Sequence, residues 1–265
     1  MAPTPPPAAP PAAAPPATTS SDAATFGYPP LDTIKPVADD VWIVDSLLPG
    51  AIGRVLPARM TVIRVADGLL LHSPTRYGPA LLGELEQLGP VRHLLAPNPA
   101  HWIALPDWQA ACPGATTWAA PGLRRRGPVR KSGLHLDHDL GDRAPAEWGS
   151  AVTLLTVPGG FGFQEAALFH RASRTLVLCD LVVNLEAPML PAAVRPVARL
   201  LGTVAPDGMP PAYLRAVYKL RRRAAASAAE ALLALGPERV IFAHGRWFER
   251  DGTAALRRSL RWLLG

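Results

Sequence analysis

The fold of this chain is decided in the stretch Arg59-Met-Thr-Val-Ile-Arg-Val-Ala-Asp-Gly-Leu-Leu-Leu-His-Ser73. Its two apolar halves, Arg59–Val65 and Gly68–Ser73, are rich in β-branched and aliphatic side chains, which favour strands. Between them, the Asp67-Gly68 step suits a tight hairpin turn. The stretch therefore predicts two antiparallel strands, and the run Val41–Asp45 predicts another strand shortly before them.

Strands and helices alternate along the chain after this hairpin. The next predicted elements are a helix at Pro79–Leu88, a strand at Val91–Ala96, a helix at Leu105–Ala111 and a strand at Thr116–Ala119. Later elements are a strand at Val152–Val157, a hairpin of Glu165–His170 and Thr175–Cys179, helical stretches at Ala192–Leu201 and Pro211–Leu235, a strand at Val240–Ala243 and a helix at Thr253–Leu263. This order indicates an α/β protein with two β-sheets and helices outside. No glycine-rich dinucleotide or phosphate-binding motif is present, so an all-parallel nucleotide-binding sheet is not expected.

Composition separates the first thirty residues from the rest. Met1–Ser21 contains almost only Pro, Ala, Thr and Ser, and such a segment buries too little apolar area to offset its ordering entropy. We predict a disordered Pro/Ala-rich arm over residues 1–30 and one domain over residues 31–265. The arm lacks the basic and unbroken apolar regions of a secretory signal. No run of about 18 apolar residues follows, so neither export nor a transmembrane segment is expected.

The cysteine content indicates the cellular compartment of the protein, and its charge indicates which partners it could bind. Cys112 and Cys179 are isolated thiols, which suits two buried side chains in a reducing cytoplasm. The net charge is +6, and basic residues cluster at positions 124–126 and 215–223. Nucleic acid or an anionic membrane could bind such clusters, but charge runs more often form a solvated surface. A nucleic-acid partner is therefore not expected.

Polar residues interrupt the apolar pattern just after several predicted strands. They are Ser73, Asn98, His101, Asp180 and His244. Strand ends are where α/β folds place their ligands, and a His between an apolar strand and a Gly suits a metal ligand or an acid–base group. Any one of them alone would more often be a structural residue. The hypothesis of a site therefore depends on their combined order and spacing.

In this order of residues the chain resembles the metallo-β-lactamase superfamily. Thr61–Thr75 is similar to its opening hairpin, and Leu94–Leu105 is similar to the strand and loop of its H-x-H-x-D-H motif. Val157–Asp180 is similar to its Pro-Gly-His turn, hairpin and metal-bridging Asp, and Phe242–Gly245 to its final strand and last His ligand. The resemblance covers nearly everything after the arm. It implies an αββα sandwich of two mixed β-sheets with helices outside.

Residue by residue, the resemblance implies that most of the usual metal ligands are replaced. The positions of the H-x-H-x-D-H ligands hold, in order, Ala96, Asn98, Ala100 and His101. Gly160 stands at the third His position, whereas Asp180 matches the bridging Asp and His244 matches the last His. Since each ion of a zinc pair needs about four ligands including water, the resemblance implies at most one ion on His101, Asp180 and His244. Asn98 is expected beside it as a weak oxygen donor.

More closely, the chain resembles a branch of that superfamily known as a domain of unknown function, family four-three-three-six. The shared features are Arg59-Met60, His72-Ser73-Pro74, Leu88-Gly-Pro-Val91, Ala96-Pro-Asn98 with His101, Glu165 with Phe169–Leu176, Asp180-Leu181 and His244-Gly245. The resemblance implies the fold, but no settled activity comes with that branch.

Three further residues are considered as accessories of the site, namely Ser73, Glu165 and His170. Glu165 could supply the carboxylate that is lost at Ala100, the alternative being an exposed hairpin residue. His170 lies near the far end of the same strand, and we expect it to stabilise a turn rather than bind metal. The segment His135-Leu-Asp-His138 repeats half of the family motif but does not follow an apolar strand, so we expect it to be a coincidence.

Two functions of different kinds remain open. In the first, the protein is a hydrolase of a small-molecule ester, thioester or phosphoester that uses one Zn or Fe ion, with Asp180 and Asn98 in catalysis. In the second, the lost ligands leave a metal-free protein that binds a ligand or partner in the same pocket. The first is favoured slightly, and a basic nucleic-acid-associated protein is a weaker third option. The sequence leaves the substrate and the oligomeric state open.

Overall fold

Two β-sheets pack face to face in the computed structural model, which describes residues 27–49, 55–190 and 192–265. The first sheet has seven strands in chain order: β1 (Ile34–Ala38), β2 (Val41–Pro49), β3 (Val55–Val65), β4 (Gly68–His72), β5 (Val91–Ala96), β6 (Thr116–Ala119) and β7 (His138–Asp139). The strands of the second sheet are β8 (Val152–Pro158), β9 (Gln164–His170), β10 (Thr175–Val177) and β12 (Arg239–Ile241), in the spatial order β12-β10-β9-β8. A short separate pair consists of β11 (Val183–Asn184) and β13 (His244–Gly245).

Helices cover the outer faces of both sheets. They are α1 (Pro79–Leu88), α2 (Leu105–Ala111), α3 (Gly127–Lys131), α4 (Arg195–Leu200), α5 (Ala212–Lys219), α6 (Arg222–Ala234), α7 (Gly252–Ser259) and α8 (Arg261–Leu264). Leu85 of α1 and Trp108 of α2 are buried in the core outside the first sheet. Tyr218 of α5 and Leu232 of α6 are buried in the core outside the second sheet. The layers are therefore helix, sheet, sheet and helix, as predicted.

A third apolar core lies between the two sheets. It joins Ile63 and Leu70 of the first sheet to Leu168 and Ile241 of the second. These residues alternate with others that face the helices, because successive side chains of a strand point to opposite faces. Both sheets are mixed: the first changes from antiparallel to parallel pairing at β4–β5, and the second at β10–β12.

The predicted hairpin is confirmed. β3 and β4 pair antiparallel with Val65 opposite Gly68, so Ala66 and Asp67 form a two-residue turn. The predicted helices α1 and α2 and the predicted strands β5 and β6 have the bounds expected from the sequence. The local pattern does not predict β1, β7 or the β11–β13 pair, which are short or depend on a distant partner. Residues 1–26 of the predicted arm lie outside the described residues.

The predicted helix over Pro211–Leu235 was wrong in one respect, because it is two helices. The amide of Gly160 donates to the carbonyl of Val217 at 2.8 Å, and the amide of Arg221 bonds instead to Tyr218. The loop after β8 therefore takes the carbonyl that would have continued α5, and a new helix starts at Arg222. The predicted closing helix is also two helices, since α7 ends at Ser259 and α8 begins at Arg261.

Candidate metal centre

The polar residues that follow β5 and β10 meet His244 at one edge of the sandwich. Nε2 of His101 lies 3.3 Å from Oδ2 of Asp180 and 3.3 Å from Nε2 of His244. Nε2 of His244 lies 3.5 Å from Oδ1 of Asp180. One ligand atom from each of the three residues lies within 4.8 Å of the other two. All three are buried or nearly so, so the geometry is that of a small enclosed polar cluster.

His101 is oriented by Ser73, the residue that follows β4. Oγ of Ser73 lies 2.8 Å from Nδ1 of His101. Ser73 has a left-handed backbone conformation with φ of 55°, which is uncommon for a residue other than glycine and costs conformational energy. Because Ser73 occupies Nδ1, the other ring nitrogen of His101 is the one that faces Asp180 and His244.

His244 is fixed by a backbone carbonyl of β3. Its Nδ1 lies 2.8 Å from the carbonyl oxygen of Pro57. A carbonyl only accepts, so Nδ1 must carry the hydrogen, and Nε2 of the neutral ring is a bare lone pair directed at the cluster. The sequence reasoning did not single out Pro57, because a backbone acceptor leaves no mark in residue types.

Arg59 holds the segment that carries His244. Its guanidinium donates to the carbonyls of Phe242 and Gly245, at 3.0 and 2.8 Å, and contacts the carboxylate of Asp45 at 2.6 Å. Arg59 is buried, so the ion pair and these hydrogen bonds compensate its charge. The sequence analysis assigned no role to Arg59, although a charged residue at the start of the predicted apolar strand Arg59–Val65 is a signal that could have indicated one.

Asn98 does not direct its side-chain oxygen into the cluster, contrary to the expectation of a weak oxygen donor. Oδ1 accepts hydrogen bonds from the backbone amides of Ala100 and His101, at 2.8 and 3.1 Å. Nδ2 donates to Oδ2 of Asp180 at 2.9 Å. Asn98 therefore shapes the turn that presents His101 and fixes the Asp180 carboxylate from one side.

The two histidines have opposite pKa shifts. Burial opposes charge on His101, but the carboxylates of Asp180 and Glu165 outweigh it and raise the pKa of His101. Burial lowers the pKa of His244 by more than Asp180 raises it, and the charges of His101 and Arg59 add to the lowering. Where the pair carries a proton, that proton therefore resides on His101.

Asp180 is the anionic centre of the cluster. Burial alone would raise its pKa, but His101, His244 and the amide of Asn98 hold that pKa well below its usual range. Asp180 is consequently ionised near neutral pH. A buried, ionised carboxylate flanked by two imidazoles is suited to binding a cation.

Glu165 is buried, so the alternative of an exposed hairpin residue is wrong. Its Oε1 accepts from the amides of Cys179 and Leu181, at 2.9 and 3.1 Å, and its Oε2 accepts from the amide of Asp180 at 2.8 Å. The hydroxyl of Tyr218 also donates to Oε2, at 3.2 Å. Burial and the nearby Asp180 raise the pKa of Glu165 above its usual value, and the three amides offset only part of this shift. Glu165 therefore supports the turn that presents Asp180 and is not one of the clustered ligand atoms.

The space beside Gly160 is filled by Leu220. A Cβ atom added to Gly160 would lie 2.4 Å from Cδ1 and 2.7 Å from Cβ of Leu220. A side chain at position 160 would therefore require Leu220 to move. Ala96 and Ala100 carry no polar side-chain atom.

His170 and the histidines of His135–His138 lie elsewhere. His170 is five residues from Glu165 along β9, a distance of roughly 17 Å in a strand. Its Nδ1 lies 2.8 Å from Oγ of Ser173, in the turn between β9 and β10. This contact agrees with the turn-stabilising role. His135 is 75% exposed, and it pairs with Asp137 near the edge strand β7.

Solved structures with the metallo-β-lactamase fold resemble this architecture. A metallo-β-lactamase from Pontibacter korlensis aligns with a TM-score of 0.57 and 16% identity, over 87% of this chain and 97% of its own. One from Hirschia baltica aligns with a TM-score of 0.57 and 14% identity, over 87% and 96% of the two chains. FIM-1 from Pseudomonas aeruginosa, in its mono-zinc form, aligns with a TM-score of 0.57 and 14% identity, over 86% and 94%. The fold is therefore metallo-β-lactamase-like, and such identities show the fold alone.

The family is established by sequence. The model of a domain of unknown function, DUF4336, matches residues 38–206. This match spans more than half of the chain, and the protein belongs to that family. A comparison with curated proteins gave no match. Within the described ranges, no helix is both long and apolar enough to cross a membrane.

Proposed function

We propose that this protein is a metallo-β-lactamase-like hydrolase with a single metal centre on His101, Asp180 and His244. The observation that supports the proposal is the convergence of three ligand atoms within 4.8 Å of one another. Ser73 and Pro57 bind the remaining ring nitrogens of the two histidines. Such outer partners are typical of histidines that bind metal, because they fix the tautomer and the ring orientation.

The donor set fits one ion. Two imidazole nitrogens and a carboxylate, completed by water, suit zinc, and the same combination suits ferrous iron. A second ion does not fit, because Ala96, Ala100 and Gly160 offer no side-chain donor and Leu220 fills the space beside Gly160. We therefore propose a degenerate branch of the superfamily that holds one Zn or Fe ion.

The reaction class is hydrolysis of a small-molecule ester, thioester or phosphoester. An ion of this kind, when bound, lowers the pKa of water and polarises a carbonyl or phosphoryl oxygen. The chain supplies Asp180, which is ionised because its pKa lies below the usual range; its carboxylate would hold the ion and orient a water molecule by accepting a hydrogen bond. Asn98 supports this role by holding the Asp180 carboxylate through its amide hydrogen.

We also propose that residues 31–265 act as one domain behind the Pro/Ala-rich arm, and that the protein works in the cytoplasm. The support for a single domain is the core shared by both sheets. The support for the compartment is that Cys112 and Cys179 are both free thiols, as is usual in a reducing environment.

A metal-free ligand-binding protein is the second candidate function. The observation that favours it is that the buried groups beside the cluster already satisfy one another. Asn98 donates to Asp180, and Glu165 accepts from three amides and from Tyr218. In this case the pocket beside Asp180 would bind a molecule without hydrolysing it.

Metal content of the purified full-length protein separates the two candidates. We expect about one Zn or Fe per chain in the wild type, and loss of most of it in His244→Ala, because removing one of three ligands weakens such sites by roughly tenfold or more. His135→Ala is the matched control, since this histidine is 75% exposed and lies outside the cluster. Near-zero metal in the wild type and in His244→Ala, after growth with added zinc and iron, would overturn the metal centre.

A further inference from the structure

A pocket of about 240 Å³ opens directly beside the cluster. His101, Asp180 and His244 form its polar side, and Trp102, Ile103 and Tyr213 are among the residues of its other walls. Among the described residues that line this pocket, none is a lysine or an arginine. The only charged groups in its described lining therefore belong to the candidate metal centre.

Two walls of this pocket are exposed apolar surface. Ile103 is 75% exposed and Tyr213 is 72% exposed. A ligand that covers large apolar side chains at a pocket mouth binds more favourably, because it removes their surface from water. Phe161, which is 93% exposed, lies in the loop that α5 holds through the Gly160–Val217 hydrogen bond. Tyr213 lies on the same helix. The mouth of the pocket is therefore apolar on two sides, at Ile103 in the loop that carries His101 and at Tyr213 on α5.

We propose that the substrate of this site is a neutral ester or thioester whose apolar acyl group lies against Ile103 and Tyr213. The inference rests on the proposed function and narrows its substrate class. An apolar acyl chain would bury surface that is now exposed to water. A phosphoester would bring a charged group to described walls that provide no cationic side chain, and burying an unpaired charge is costly.

The reaction balances with water as the only co-reactant. The oxygen of water forms a bond to the acyl carbon, and the bond from that carbon to the alcohol oxygen or thiol sulfur breaks. One proton of water ends on the leaving alcohol or thiol, and the other is lost from the carboxylic acid that forms. No oxidant or reductant takes part.

Binding of methyl ketones tests the proposal without hydrolysis. The probes are straight-chain 2-alkanones of four to eight carbons, which mimic an apolar acyl group and cannot be hydrolysed. They are titrated by NMR into the full-length protein, as purified and after treatment with a chelator. We expect affinity to rise by up to about fourfold per methylene until the pocket is filled, which corresponds to about 0.8 kcal/mol for each buried methylene.

Two variants locate the binding surface. Ile103→Ser with Tyr213→Ser should remove most of the dependence on chain length and weaken the longest ketone by about tenfold or more. Leu200→Ser is the matched control, because Leu200 is also highly exposed but does not line this pocket. The metal content of both variants should equal that of the wild type.

The outcomes separate this inference from the proposed function. Affinity that is independent of chain length, or equal loss in the double variant and in Leu200→Ser, would overturn the apolar subsite while leaving the metal result intact. Tighter binding of phenyl phosphate than of the longest ketone would overturn it in favour of a phosphoester. Ketone binding that obeys the expected series in a wild type that purifies without metal, after growth with added zinc and iron, would support the subsite and refute the metal centre alone.

Discussion

Replacing Glu165 with glutamine tests the turn that presents Asp180. In the wild type, the two carboxylate oxygens accept from the amides of Cys179, Asp180 and Leu181 and from the hydroxyl of Tyr218. All of these groups donate, and an amide nitrogen cannot accept. In Glu165→Gln at least one backbone amide therefore loses its acceptor, whichever way the new side chain is turned.

The size of the effect follows from these contacts. One buried amide without an acceptor lowers the free energy of unfolding by about 1–3 kcal/mol. The two hydrogen bonds that the glutamine oxygen still accepts are weaker by about 1 kcal/mol each, because that oxygen is no longer charged. Burial and the repulsion from Asp180 both raise the pKa of Glu165, and relief of these two costs in the neutral glutamine offsets part of this loss. We expect a net decrease of about 2 kcal/mol in the free energy of unfolding, or a decrease of about 4–8 °C in Tm for a domain of this size.

Thermal unfolding and hydrogen exchange provide the measurement. Glu86→Gln is the matched control, because Glu86 is exposed on α1 and such changes are usually worth less than about 0.5 kcal/mol. Hydrogen exchange of the amides of residues 179–181 should be faster in Glu165→Gln and unchanged in Glu86→Gln. A Tm for Glu165→Gln equal to that of Glu86→Gln, or higher than that of the wild type, would refute the role of Glu165 as an ionised acceptor for this turn.

Two further predictions concern stability. Gly160→Ala should destabilise the protein by about 1–3 kcal/mol, because the new Cβ would overlap Leu220. The control is Gly83→Ala on α1, where a Cβ meets nothing within 4 Å, and this change should stabilise the protein or leave its stability unchanged. Equal urea midpoints for the two variants would contradict the overlap. His72 is buried, and burial lowers its pKa from 6.5 to about 4. The neutral ring of His72 therefore contributes fully to the free energy of unfolding above pH 6.5, and this contribution falls by about 3 kcal/mol as the pH falls towards 4. His72→Gln, which cannot titrate there, should have a correspondingly shallower decline in stability between pH 7 and pH 4, and parallel curves for the two proteins would exclude this cause.

Local patterns predicted much of the fold. The apolar halves on either side of Asp67-Gly68, the spacing of apolar residues over Pro79–Leu88 and the β-branched run Val91–Ala96 each form the element that their sequence predicts. These elements depend on side-chain periodicity and turn chemistry, which act between residues close in sequence. The exceptions have a tertiary cause, as where the amide of Gly160 ends α5 by binding Val217.

The sequence by itself determined the alternation of strands and helices and the candidate residues at the strand ends. Only the tertiary structure decided what each polar group faces. Asn98 and Asp180 are 82 positions apart, and His101 and His244 are 143 apart, so no local pattern could reveal that Asn98 donates rather than accepts there. The burial of Glu165 against Tyr218 is likewise a property of two elements packed together. A residue type limits which hydrogen bonds a side chain can form, and the packing of distant elements selects among them.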